Sequence, residues 1–150
     1  MTADFGADLR ALLRAERQGM LSTISLRHRG HPFGSVVPYA SWQSGEPLIY
    51  LSRLAAHTQN LLADPRASLL ISDSGARELQ PARATLVGAF RPLPPDAQDA
   101  GRDAFAARHP ESQALALPDF TAFVLSVEEI RWVGGFAAAA WLAPHTLRGA

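Results

Sequence analysis

Leu48–Leu70 reads LIYLSRLAAHTQNLLADPRASLL. Two apolar runs, Leu48–Ser52 and Ala67–Ser72, have the length and content of short buried strands, and they bound a polar insert. Ala55–Ala63 suits a helix of about two turns, closed at Asp64-Pro65 because proline disfavours helix at the residue before it. The insert gathers Ser52, Arg53, His57, Thr58 and Asn60, whose hydroxyl, guanidinium, imidazole and amide groups all seek anions. Such donors at the start of a helix could converge on a phosphate, where backbone N–H groups are unpaired. The same residues could equally serve as an ordinary helix cap beside a solvated arginine.

Outward from this stretch the pattern is mostly β. Toward the N-terminus, Phe5, Leu9, Leu12 and Leu13 recur at helical spacing, so Asp4–Arg17 reads as an amphipathic helix capped by Gly19. Met20–Arg29 alternates, Arg29-Gly30-His31-Pro32 is turn chemistry, and Phe33–Trp42 resumes as a strand, giving an antiparallel hairpin. Toward the C-terminus, Ala82–Phe90 alternates, Asp96–Arg108 is helical and stops at His109-Pro110, Phe120–Val127 is a strand, and Ile130–Val133 runs into Gly134-Gly135. Strands joined by turn-length connections, with helices set between them, argue against a doubly wound parallel sheet. The expected class is mainly β (α+β), an antiparallel barrel with flanking helices, in one domain over 1–150.

Bulk composition narrows the function. Lys+Arg and Asp+Glu are both 14, so no basic field invites nucleic acid. Cysteine is absent, which removes disulfides, thiol nucleophiles and thiolate metal sites. No run approaches ~18 apolar residues, and no signal peptide is recognised, so a soluble, cytoplasmic protein without a membrane span is expected. His28 and His31 lie on the hairpin turn with no third ligand, so no metal site is expected. No nucleophile elbow, dinucleotide fingerprint or Walker loop is present, and no general acid or base stands out.

Three further groups could border a ligand. Pro38 ends Ser35-Val36-Val37-Pro38, and a proline in a strand points to an irregular edge whose backbone could meet a ligand ring or simply end in a bulge. Arg83 shares a strand face with Thr85 and Val87, where it needs either an anion or solvent. Trp132 to Phe136 sets Gly134-Gly135 between aromatics, suited to a turn or to a close approach.

Taken in order, MLSTIS, GHPFGSVVPYA, LIYLSRLAAHTQNLLADPRASLLI, ARATLVGAF and DFTAFVLSVEEIRWVGGFAAAAWL resemble the FMN-binding split-barrel superfamily typified by pyridoxamine 5'-phosphate oxidase. Within it the chain is most similar to the haem-utilisation (HugZ-like) branch. The resemblance covers about Leu9 to Leu142 and implies a six-stranded antiparallel split β-barrel, a homodimer, and FMN in clefts at the subunit interface. It assigns Ser35, Val36, Val37 and Pro38 to the flavin ring, and Leu51, Ser52, His57, Thr58, Asn60 and Arg83 to its phosphate end. Trp132, Gly134, Gly135 and Phe136 would come from the partner subunit's side.

Ala55-Ala56-His57 stands where the oxidases carry Ser-Arg-Lys, which removes charge-assisted contacts of roughly 1.5–3 kcal/mol each. The arrangement that recognises pyridoxal phosphate is missing, so vitamin B6 oxidation is not expected. The haem-utilisation relatives have a further C-terminal region that helps ligate haem, and the sequence runs to Ala150, just past His145, without it. The leading expectation is an FMN-dependent oxidoreductase on an unidentified small substrate. The alternatives are a haem-binding protein, with His145, His109 or His57 as axial ligand, and a non-catalytic split-barrel binding module.

Overall fold

Alternation of apolar and polar residues gives this chain one sheet that curls around its own apolar face. In a computed structural model describing residues 4–115, 118–135 and 138–149, the elements run α1 (Phe5–Ala15), β1 (Gln18–Ile24), β2 (Pro32–Pro38), β3 (Ala40–Ser41), β4 (Pro47–Ser52), α2 (Ala56–Ala63), β5 (Arg66–Ser72), β6 (Arg83–Pro92), α3 (Gln98–Arg108), β7 (Phe120–Val133) and β8 (Ala139–Leu142). All pairings are antiparallel, in the order β2-β1-β5-β6-β7-β4-β3, with β8 added beside β7. The mainly β class and the split barrel hold. The sheet has eight strands rather than six, the additions being the short β3 and β8.

β7 explains one misreading of the pattern. Phe123 and Leu125 face the core at odd positions, whereas Ile130 and Trp132 do so at even ones. The phase flips at a bulge, since Val87 pairs with Glu129 but Gly88 pairs with Val127, leaving Glu128 extra. Two strands expected at Phe120–Val127 and Ile130–Val133 are therefore one bent strand of 14 residues. Gly88 is needed there because a Cβ would overlap the Ser126 carbonyl.

Gly19 does not cap α1. The helix already ends at Glu16, whose backbone is extended, and Gly19 lies buried in β1. A Cβ on it would come 3.0 Å from both Leu69 Cδ1 and the Leu70 carbonyl oxygen, so its role is close packing. Inside the barrel, Leu21, Leu69, Ile71, Leu86, Phe90 and Phe123 form a fully buried core, with Leu9 and Leu12 of α1 packed into it. At roughly 1.5–3 kcal/mol per large apolar side chain, this core dominates the stability.

α3 covers the opposite face of β4, where Phe105 packs on Ala40 and Leu48. Gly101 lets the helix come close: a Cβ there would lie 2.7 Å from Leu93 and 2.8 Å from Ala122. The Gln98 amide pins the helix start. It donates to the carbonyls of Leu93 (2.8 Å) and Ala122 (3.0 Å) and accepts from the Ala122 N–H (2.8 Å). β4 is consequently buried on both faces, which is why Leu48–Leu51 reads as a continuous apolar run.

Candidate functional site

The barrel is split between the free edge of β2 and β4, and a cleft of about 360 Å³ opens there, at the lower end of the roughly 300–1,000 Å³ usual for ligand sites. Val36, Val37 and Pro38 form one wall. Tyr50, Leu51 and Ser52 form the other, and Ala55 and His57 close the α2 end. Phe105 and His109 from α3, Glu111 and Ser112 from the following 3-10 turn, and Phe120 complete the lining. Tyr50 sits 5.6 Å from Phe105 and 5.3 Å from Phe120, centroid to centroid, making an aromatic floor. The surface is apolar with a few polar groups, as a planar aromatic ligand requires.

At the α2 end the donors are mostly committed. The Ser52 hydroxyl donates to Asp119 Oδ2 (2.7 Å) and accepts from the Leu54 N–H (3.2 Å). Thr58 is fully buried and donates to the Ser52 carbonyl (2.5 Å). Asn60, also buried, donates to Thr23 Oγ1 (3.0 Å) and accepts from the Leu26 N–H (3.0 Å). Neither Thr58 nor Asn60 lines the cleft; both fasten α2 to the sheet. Ala55 at the N-cap gives no side-chain bond. His57 lines the cleft half-buried, and burial lowers its pKa below the ordinary histidine value of 6.5, so its ring is neutral at pH 7. Neither ring nitrogen has a hydrogen-bond partner among the described residues. Arg53 stands exposed at the rim, its Nε 3.4 Å from Thr121 Oγ1. With one carboxylate, one neutral imidazole and one solvated guanidinium, this end is poorly charged for a phosphate dianion.

His109 is held quite differently. Its Nδ1 lies 3.2 Å from an Arg17 nitrogen, which can only donate, so Nδ1 accepts and Nε2–H donates to the Tyr39 carbonyl at 2.6 Å. Arg17 also pairs with Glu111 at 2.5 Å. The Glu111 carboxyl is held below the usual range, first by its own backbone N–H and then by Arg17. Tyr39 donates its hydroxyl to the Leu13 carbonyl (2.8 Å), and burial pushes its pKa well above the ordinary phenol value. This network joins the α1–β1 corner to the end of α3 and sets the Phe105–His109 wall, whose rings lie 4.8 Å apart.

The expected site residues thus separate. Val36, Val37, Pro38, Leu51, Ser52 and His57 converge on the cleft; Ser35 is next to it but outside the lining. Arg83 is not with them. Ser52 pairs with Phe120 and Arg83 with Val133, opposite ends of β7, a strand path on the order of 40 Å. Arg83 instead donates to the Pro81 carbonyl at 3.1 Å. Trp132 is buried in its own chain's core. Gly134 and Gly135 border a different, acidic depression with Asp73 and Glu78, and Phe136 lies outside the described residues. Sequence reasoning missed Tyr50, Phe105, Glu111, Asp119 and Phe120, and named His109 only as a possible haem ligand. Their meeting depends on pairings and helix packing distant in sequence. Among the described residues no cluster of three or more metal-ligating side chains occurs, and no helix is long and apolar enough to cross a membrane.

Comparison with known proteins agrees with this architecture. The family model for the CREG β-barrel matches residues 6–147. The chain is 36% identical over 132 residues to the chloroplastic non-canonical haem oxygenase HOZ of Arabidopsis thaliana, covering 88% of this chain and 41% of that protein. It superposes with a TM-score of 0.86 on a haem-binding protein from Mycobacterium smegmatis, 28% identical, over 99% of this chain and 61% of the other. The chain therefore spans about two fifths of the first of these relatives and about three fifths of the second. A pyridoxinephosphate oxidase family protein from Clostridium acetobutylicum, 14% identical with a TM-score of 0.71 and coverage of 95% and 96%, shares the fold.

Proposed function

The chain belongs to the CREG β-barrel family, and from that premise we propose that it is a haem-binding split-barrel protein whose cleft between β2 and β4 receives the porphyrin. The observation that carries this reading is the cleft itself: an aromatic floor of Tyr50, Phe105 and Phe120 beside a neutral imidazole, His57. A porphyrin suits an apolar slot, and an imidazole is a common ligand to its iron; these residues supply both. The haem-related relatives support the same reading. FMN fits less well, because its phosphate would meet the Asp119 carboxylate, an already committed Ser52 hydroxyl and an uncharged His57. Any chemistry on the haem, including oxygenase activity, belongs to this proposal and would be supplied by the iron, with the protein contributing binding and electrostatics.

A second copy of the chain forms the remaining wall in this reading. Met20 and Val36 pair side by side on the outer sheet face and are 45% and 63% exposed. Val36 also lines the cleft, so a protomer covering that face would reach the ligand.

Titrating the purified chain with haemin and with FMN separates the readings. A Soret shift that saturates at one haemin per chain, with FMN bound at least ~10-fold more weakly, is the expected result. Tight FMN binding with no haemin uptake would overturn the proposal.

A further inference from the structure

We infer that His57 is this chain's own axial ligand to the haem iron, an assignment that rests on the haem reading above. The chain has five histidines. His28 and His31 are exposed on the β1–β2 turn, and His145 is exposed on the C-terminal 3-10 turn; none of them lines the cleft. His109 does line it, but both its nitrogens are engaged, Nδ1 by Arg17 and Nε2–H by the buried Tyr39 carbonyl. Freeing Nε2 would leave that carbonyl unpaired in the core. His57 is the remaining imidazole. It faces the cleft from the first turn of α2, and its ring carries no hydrogen bond among the described residues.

The surroundings suit a ligand. A metal takes the neutral imidazole's lone pair while the other nitrogen keeps its proton, and the His57 ring, which lines the cleft, has neither nitrogen engaged among the described residues. Rigidity comes from the two polar residues that follow. Thr58 bonds the Ser52 carbonyl, and Asn60 bonds Thr23 and the Leu26 N–H, so the α2 turn bearing His57 is bolted to β4 and β1. These buried bonds give Thr58 and Asn60 a purpose at the site without contact to the ligand: they position the ring, as outer partners of metal ligands commonly do.

The test compares wild type, His57→Gly and His57→Cys, each checked for native circular dichroism, in haemin titrations with resonance Raman spectra of the ferrous form. Wild type should show an iron–histidine stretch. His57→Gly should lose it and bind haemin about tenfold or more weakly, and free imidazole should restore both. Because the chain contains no cysteine, His57→Cys should introduce a unique thiolate, visible as the red-shifted ferrous–carbonyl Soret band of thiolate-bound haem. An unchanged iron–histidine stretch in His57→Gly would overturn the assignment while leaving haem binding in place. Failure of wild type to bind haemin at all would remove both.

Discussion

The Ser52 hydroxyl donates to the Asp119 carboxylate across 2.7 Å, at the end of the cleft where a flavin phosphate was expected. That pairing fills the hydroxyl's donor capacity and puts a negative charge where an anion would need a positive one. Asp119→Asn should therefore strengthen FMN and inorganic phosphate binding by about tenfold, or 1.4 kcal/mol, by removing a like charge. Calorimetric titration of both proteins checks this. Equal affinities would mean that Asp119 does not govern anion access.

Asn60 illustrates how a polar helix residue can be structural. Its amide satisfies the Thr23 hydroxyl and the Leu26 N–H beneath α2. Asn60→Ala leaves the Leu26 N–H without its acceptor and the buried Thr23 hydroxyl with only its 3.5 Å bond to the Phe33 carbonyl, and should cost about 1–3 kcal/mol. Urea unfolding should show a lowered midpoint at unchanged slope, and haem affinity in the folded fraction should weaken only through looser placement of His57. A stability change below about 0.5 kcal/mol would contradict the buried geometry.

Proton competition at His57 sets a pH dependence. Its folded pKa is lowered from 6.5 by burial, so the folded chain takes up the proton later than the unfolded chain does. The stability contributed by this group is present above 6.5 and is lost as pH falls through the folded pKa. Haem affinity should stay flat from mildly alkaline pH down through 6.5 and weaken only as pH falls through the lowered pKa of the folded chain. His57→Gly should lack that fall. Affinity already declining above pH 6.5 in the wild type would mean a raised pKa and a different environment for the ring.

Local signals in the chain carry far for the fold and less far for the site. Alternation in Met20–Ile24 and Arg83–Val87, the proline after α2 and the apolar run of β4 all lie within one element, so they are readable from neighbours in sequence. Glu128 was opaque because a bulge flips the pattern by one residue, and only the pairing with β6 reveals it. Arg83 shows the same limit at the site. Its strand face was evident, but its distance from Ser52 depends on which ends of β7 the two strands meet. Likewise Thr58 and Asn60 share the polar character of His57, and only the packing of α2 on β1 and β4 separates the two that are buried from the one that faces the cleft.

The location of the haem is the claim on which the rest depends. Ferric haem is paramagnetic, so in a two-dimensional amide NMR spectrum it broadens signals according to proximity. Addition of one equivalent of haemin should erase the amide signals of Val37, Leu51, Ser52 and His57 while sparing Ala76, Glu78 and Gln80 beside the acidic depression at the far end of the sheet. Broadening centred on Ala76–Gln80, with the cleft signals intact, would contradict the assignment of the cleft as the haem site.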